Sequence, residues 1–415
     1  MKRVVVTGIG AVTPIGNNVN DFWSNLINGK SGAAPITRFD SSQFKTRFAC
    51  EVKDFDPSIA MGKTEIRKTD LFIQFAMVAA NECMKDASID LEKIDKSRIG
   101  VIWGSGMGGM MTYEDGMLDF YKNNLNPRFS PMFIPKIIPN ITSGHIAIKY
   151  HMQGPSYSIA AACTSSNNAI IDAFNYIRIG DADMMMAGGS EAPIYFGPVG
   201  GFSSMKALSE YNENPQIASR PFDKSRDGFV LGEGSGALML ESLDHALARG
   251  ANIYCELASY GMASDAFHIT APHPDGEGAI IAMKQALSKA GLTIYDIDYI
   301  NAHATSTPLG DISECKAINA VFNDALKGIN ISATKSMTGH LMGAAGVVEA
   351  IATIKSITDS IIPPTINFTE LDGLLPVDLN ITPNVSAQRT VNFALNNTFG
   401  FGGHIASTLF KKFKN

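Results

Sequence analysis

The chain has 415 residues, more than one domain usually holds, so two domains or two fused halves are expected around a sizeable core. Charged residues make up only 18% and glycines number 38, a balance that suits a compact α/β enzyme and excludes a disordered or heavily solvated scaffold. The net charge of −6, with no dense Lys/Arg stripe among aromatics, argues against nucleic acid as a partner, and any acidic protein partner needs a local basic patch.

Met1-Lys2-Arg3 leads into an apolar run too short for a signal peptide, and no uncharged stretch of about 18 apolar residues follows. A cytoplasmic protein without a membrane partner is expected. Short apolar runs at 4–7, 99–103, 156–160, 184–187 and 299–302 read as strands, each followed by a helical period, which is the α/β signature. Helices are expected over 70–86, with Leu71, Phe75, Val78 and Ala79 on one face, over 166–180 and over 278–290; 196–229 reads as a long loop. Cys50, Cys83, Cys163, Cys255 and Cys315 are odd in number, scattered and without a C-x-x-C pair, so they read as free thiols of a reducing compartment, with no zinc site.

Cys163 sits among Ala160, Ala161, Ala162, Thr164 and Ser165, where a strand-like run gives way to a helix-like one. The first free N–H groups of a helix stabilise a thiolate, and small neighbours leave room for a substrate carbonyl. The competing reading is plain: cysteine is a common buried small residue. A weak internal echo bears on the choice, because the segment from Ile159 matches the segment from Ile331 at an offset of 172, each running strand, small residues, helix. As a duplication it sets Cys163 and Lys335 at equivalent helix starts beside a shared cleft. His303 and His340 lie among small and hydroxylated residues where strands or loops end, positions at which α/β sites are assembled. No i, i+4 histidine pair with an acid appears, and no metal is assigned.

Three motifs are set aside. Gly104-Ser105-Gly106-Met107-Gly108-Gly109 matches G-x-G-x-x-G after a strand, yet no second strand with a ribose-binding acid follows, and Asp119 falls in a helical or looped stretch. Ser332-Ala333-Thr334-Lys335 and Ser203-Ser204-Met205-Lys206 match S-x-x-K without the companion motifs of a serine acyl-enzyme.

Four blocks in order, ACTSS over 162–166, NAHATSTPLG over 301–310, TKSMTGHLMGAAG over 334–346 and NTFGFGG over 397–403, resemble a β-ketoacyl-acyl carrier protein synthase. RDGFVLGEG over 226–234 and IPPTIN over 362–367 extend the resemblance, which runs from Thr7 to the C-terminus and is closer to the synthase II type of fatty acid synthesis. It implies a thiolase-like fold, a five-layer αβαβα sandwich of two similar halves, here divided as 1–250 with the nucleophile and 251–415 with both histidines.

The resemblance further implies that Cys163 takes an acyl group from acyl carrier protein, while His303 and His340 stabilise the enolate left when malonyl on a second carrier loses carbon dioxide. Lys335 and Glu349 form a charged pair near His340. Backbone N–H groups of Cys163 and Phe401 form the oxyanion site, and Phe401 between Gly400 and Gly402 gates the acyl pocket walled by Met107. Thr270, Thr305 and Thr307 bind pantetheine. Lys63, Arg67, Lys68, Arg128 and Lys206 form the patch for the acidic carrier, no free cofactor is needed, and a homodimer is expected. Ala304, where the family commonly has glycine, and His404-Ile405, where it commonly has Thr-Asn, depart from the pattern. A specialised polyketide ketosynthase and a non-condensing chain-length partner are the alternatives; the second is disfavoured by the presence of Cys163 and both histidines. A degradative thiolase needs a second cysteine near the C-terminus, and none follows Cys315.

Overall fold

The computed structural model describes residues 1–376 and 379–414. Among these residues the main sheet has ten strands: β1 (Val4–Val12), β2 (Ile99–Gly104), β3 (Ser156–Ile159), β4 (Met184–Glu191), β5 (Gly234–Ser242), β6 (Cys255–Ser264), β7 (Tyr299–Asn301), β8 (Asn330–Ser332), β9 (Phe393–Gly400) and β10 (His404–Lys412). The first five run in the order β3-β2-β4-β5-β1 and the last five in the order β8-β7-β9-β10-β6. In both sets the three outer strands are parallel and the remaining two antiparallel, so each half repeats the other five strands later. The halves join through a short antiparallel pairing of β1 with β6, from Val4 opposite Leu257 to Val6 opposite Cys255.

Helices α1 (Leu71–Asp86), α2 (Ile141–Tyr150), α3 (Ser165–Ile179), α4 (Glu277–Ala290), α5 (Pro308–Phe322) and α6 (Ala345–Asp359) complete the layers. α1 and α2 cover the outer face of the first half, α4 and α5 that of the second, and α3 with α6 lie between the two halves. That is the five-layer αβαβα arrangement of a thiolase-like fold. The apolar runs of β1, β4 and β5 are buried throughout because helices cover both faces of the sheet. α3 and α6 carry long buried stretches for the same reason, among them 169–171 and 347–354.

The expected helices appear within a residue or two at each end, and all five cysteines are free and buried. The expected loop over 196–229 instead opens with a helix, Phe196–Ser204. Gly197, Gly200 and Gly201 hide it from propensity, whereas Pro198 falls in the first turn where proline is tolerated. The echo at offset 172 is also refined. Lys335 opens only a four-residue helix, Lys335–Thr338, which breaks at Gly339 with φ +68°, and the counterpart of α3 resumes at Ala345. His340 lies in that interruption. Among the described residues no helix is long and apolar enough to cross a membrane.

Candidate active site

Between β3 and α3 the chain makes a tight elbow. Ala162 takes φ +48°, a left-handed conformation that costs a non-glycine residue about 1–2 kcal/mol, and it is held by Thr164 N–H and hydroxyl to Ala161 O, Ser165 N–H and hydroxyl to Ala162 O, and Ala161 N–H to the Ser165 hydroxyl. The elbow delivers Cys163 ahead of the helix, with only 4% of its surface exposed. The His340 backbone is fixed by two bonds to the 230–232 segment, His340 N–H to Val230 O at 2.8 Å and Gly232 N–H to His340 O at 2.9 Å. Its Nε2 lies 3.0 Å from Cys163 Sγ. The His303 ring stands edge-on to it, centroids 5.3 Å apart, while Phe229 and Phe399 pack on the two rings.

Charges complete the arrangement. The side chain of Lys335 is 1% exposed and paired with Glu349. The sequence suggests that Glu349 reaches back along one helical segment; the two residues in fact sit on separate helices and meet across the His340 turn. Burial raises the Glu349 carboxyl while Lys335 opposes that rise. Burial holds both histidines well below the ordinary imidazole range, and the Lys335 charge pushes the same way, so both rings are neutral. Neither ring's Nδ1 has a hydrogen-bond partner among the described residues, so the tautomer is not set from that side, and for His340 only the Cys163 thiol at Nε2 bears on it.

A helix N-terminus lowers a thiol pKa, and that is the expectation for Cys163. Burial wins instead, pushing Cys163 up to about 12, with Lys335 and the backbone N–H groups of Phe401 and Cys163 pulling the other way. At rest Cys163 is therefore a thiol whose proton faces a neutral imidazole. Cys163, His303 and His340 offer donor atoms within 4.8 Å of one another, near enough for a metal, but the Lys335 ammonium opposes a further cation there.

These groups form the floor of a cavity of about 430 Å³. Its walls include Thr270, Thr305, Thr307, Lys206, Gly400 and Phe401. The hydroxyls of Thr305 and Thr307 stand 3.1 Å apart. Phe401 caps the hairpin between β9 and β10, and a Cβ on Gly400 would come 3.0 Å from Ala161 O and 3.2 Å from Cys163 N, so a larger residue there would press the hairpin off the elbow by a few tenths of an ångström. Gly402, at φ +86°, ties the hairpin to the covering segment by donating to Ile269 O at 2.7 Å.

Two family models match the chain: Beta-ketoacyl synthase, N-terminal domain, over 1–246, and Beta-ketoacyl synthase, C-terminal domain, over 254–369. The chain belongs to the β-ketoacyl synthase family. Among curated relatives of this family, the 3-oxoacyl-[acyl-carrier-protein] synthase 2 of Staphylococcus aureus (strain COL) is 46% identical over 413 residues, covering 100% of this chain and 99% of that one. Among solved structures, the ishigamide ketosynthase/chain length factor superposes with TM-score 0.93 at 33% identity, with 100% of both chains covered. A type II PKS ketosynthase bound to the hexaketide, in complex with its acyl-carrier protein, gives TM-score 0.91 at 33% identity over 100% of both chains.

The structure disperses the remaining anticipated residues. Met107 does not line this cavity; it packs against an apolar cluster that includes Cys163, Ile194, Val199, Phe202 and Met342. Of the five basic residues, Lys206 lines the cavity, whereas Lys63, Arg67 and Lys68 belong to the exposed helix Lys63–Arg67 and its cap, and Arg128 is exposed beyond the helix Met110–Lys122. Asp119 falls within that helix. A residue beside His303 escapes the sequence reading. Glu314 on α5 is buried and accepts the backbone N–H groups of His303 at 2.9 Å and Ala304 at 2.7 Å, fixing the strand end that presents His303. An acid eleven residues downstream in a mixed helix carries no periodic signal that would mark it.

Proposed function

We propose that this chain is a 3-oxoacyl-acyl carrier protein synthase that extends a fatty acyl chain by two carbons. The observation that carries this reading is the 3.0 Å approach of His340 Nε2 to Cys163 Sγ, with His303 against the same imidazole on the floor of the cavity. Full-length identity is 46% to a curated synthase 2 against 33% to the ketosynthases named above for ishigamide and hexaketide chemistry, which favours fatty acyl extension over a specialised polyketide role. A non-condensing chain-length partner has no use for this assembled nucleophile and histidine pair.

The chemistry follows from the geometry. Sγ attacks the thioester carbonyl of an acyl carrier as its proton passes to His340 Nε2. The oxyanion is held by the N–H groups of Cys163 and Phe401, the C–S bond to pantetheine breaks, and the leaving thiolate takes the proton back from His340. Malonyl on a second carrier then loses carbon dioxide. The enolate oxygen accepts N–H bonds from His303 and His340, both neutral; once Cys163 is acylated its thiol no longer donates to His340, whose proton moves from the unpartnered Nδ1 to Nε2, and the enolate carbon attacks the acyl thioester. Cys163 leaves as thiolate and regains a proton from solvent, which burial favours. Lys335, held in place by Glu349, supplies the positive charge that with burial keeps both rings neutral. Thr270, Thr305 and Thr307 bind the pantetheine amides, and Phe401 gates the acyl pocket that Met107 helps to wall.

No free cofactor enters these steps, since both substrates arrive on a carrier. The catalytic halves are taken as 1–250 and 251–415. Exposed Tyr113, Leu118, Tyr121, Phe129 and Ile134 supply an apolar face that supports pairing of two copies. Incubation with a ladder of acyl carriers plus malonyl carrier, with products resolved by mass, tests the function. β-Ketoacyl products two carbons longer are expected, absent from Cys163→Ala; product formed by Cys163→Ala at the parent rate would refute the covalent route.

A further inference from the structure

The glycine motif of 104–109 binds no nucleotide in the reading above, and the structure gives it another occupant. Glu191, at the end of β4, is 0% exposed and accepts four hydrogen bonds. Oε1 receives the Ser105 hydroxyl at 2.9 Å and the Met107 N–H at 3.1 Å; Oε2 receives the Gly106 N–H at 2.7 Å and the Gly343 N–H at 2.9 Å. Three donors come from the first half and the fourth from the second, in the turn that follows His340. A buried carboxylate from the same chain thus fills the anion cradle that such a turn offers.

The fit is close on both sides. A Cβ on Gly106 would meet Glu191 Oε2 at 3.0 Å, and one on Gly343 would meet it at 2.6 Å and Gly106 N at 2.6 Å. The next side chains along are the ones that matter. Met107 follows Gly106 and Met342 precedes Gly343, and both pack in the apolar cluster that contains Cys163. Met342, at φ +48°, also lines the cavity.

We propose that Glu191 is a positioning residue for the acyl chain: by gripping both turns it fixes the spacing of Met107 and Met342 on either side of Cys163, and so sets which acyl groups fit. This rests on the synthase reading for what the pocket holds, and on bond geometry alone for the clamp. Glutamine at this position keeps the size but turns an amide donor toward N–H groups, so one turn must retreat. The Glu191 charge also disfavours the Cys163 thiolate, so its removal lowers the thiol pKa.

The test uses the full chain and needs no carrier protein. Parent, Glu191→Gln and the milder Ser105→Ala, which removes one donor, are labelled at Cys163 with N-alkylmaleimides of increasing chain length, and Cys163→Ala controls for the other thiols. The ratio of long-chain to short-chain labelling rates is expected to change about tenfold in Glu191→Gln, as for a wall displaced by a fraction of an ångström, and less in Ser105→Ala. The pH midpoint of labelling by the shortest reagent is expected to fall in Glu191→Gln. A ratio unchanged in both variants overturns the clamp, and an unmoved midpoint overturns the placement of an ionised carboxylate beside the thiol. Failure of the parent to condense acyl and malonyl carriers would instead sink the synthase reading and leave these two results standing.

Discussion

Replacing Glu314 by glutamine separates the electrostatic cost of the site from its mechanical use. Glu314 is 1% exposed. Burial, opposed first by the Ala304 and His303 N–H bonds, lifts its carboxyl from 4.5 to about 7. Such a group binds its proton more tightly folded than unfolded, so the stability it contributes is complete below pH 4.5 and is lost as the pH rises through about 7. A rise of about 2.5 pH units at about 1.4 kcal/mol each amounts to about 3.5 kcal/mol in full, of which about 3 kcal/mol at most falls between about pH 5 and pH 8. The glutamine does not titrate, though its single carbonyl serves two N–H donors and leaves one unpaired, at a pH-independent cost of about 1–3 kcal/mol. Urea unfolding of both proteins between about pH 5 and pH 8 reads the difference. Subtracting the variant from the parent cancels Glu233 and Glu349, whose carboxyls are also raised, and leaves with Glu314 the part of the Asp311 titration coupled to it. The parent is expected to lose up to about 3 kcal/mol relative to Glu314→Gln across that range. Because the bonds of Glu314 go to the His303–Ala304 backbone, the variant should also slow condensation more than acylation of Cys163. Parallel stability curves would refute the ionisation argument, and equal slowing of both steps would refute the link to His303.

Lys335→Met removes the charge that favours the Cys163 thiolate, so iodoacetamide labelling at about pH 8 should slow, and the stranded Glu349 should destabilise the fold by about 3–5 kcal/mol. Adding Glu349→Gln should restore much of the stability but not the labelling rate; recovery of both would show that the lysine acts only through packing. Charge reversal at Arg67 and Lys68 should raise the KM for carrier-bound substrate while sparing small acyl thioesters, whereas equal loss on both substrates would remove these residues from the carrier surface.

What could be read from the sequence was what lies contiguous in it. The elbow at Cys163, the histidine blocks and the glycine-flanked Phe401 each carry their chemistry within a few residues, and the offset between the Cys163 and Lys335 segments reflects a real repeat of five strands. Its register misled locally, because the chain inserts the four-residue helix and the His340 turn before α6, and an offset of residues is blind to a break at Gly339. The thiol pKa escapes the sequence for a related reason: a helix N-terminus is visible in sequence, but the closed surroundings that outweigh it are built from β3, β9 and the His340 turn together. Glu191 and Glu314 show the limit most clearly. Each is a buried acid whose partners are mainly backbone N–H groups, and a backbone donor has no letter in the sequence. Their function follows only once the fold has closed around Cys163, which is why the residues that set its surroundings are legible in three dimensions and silent in one.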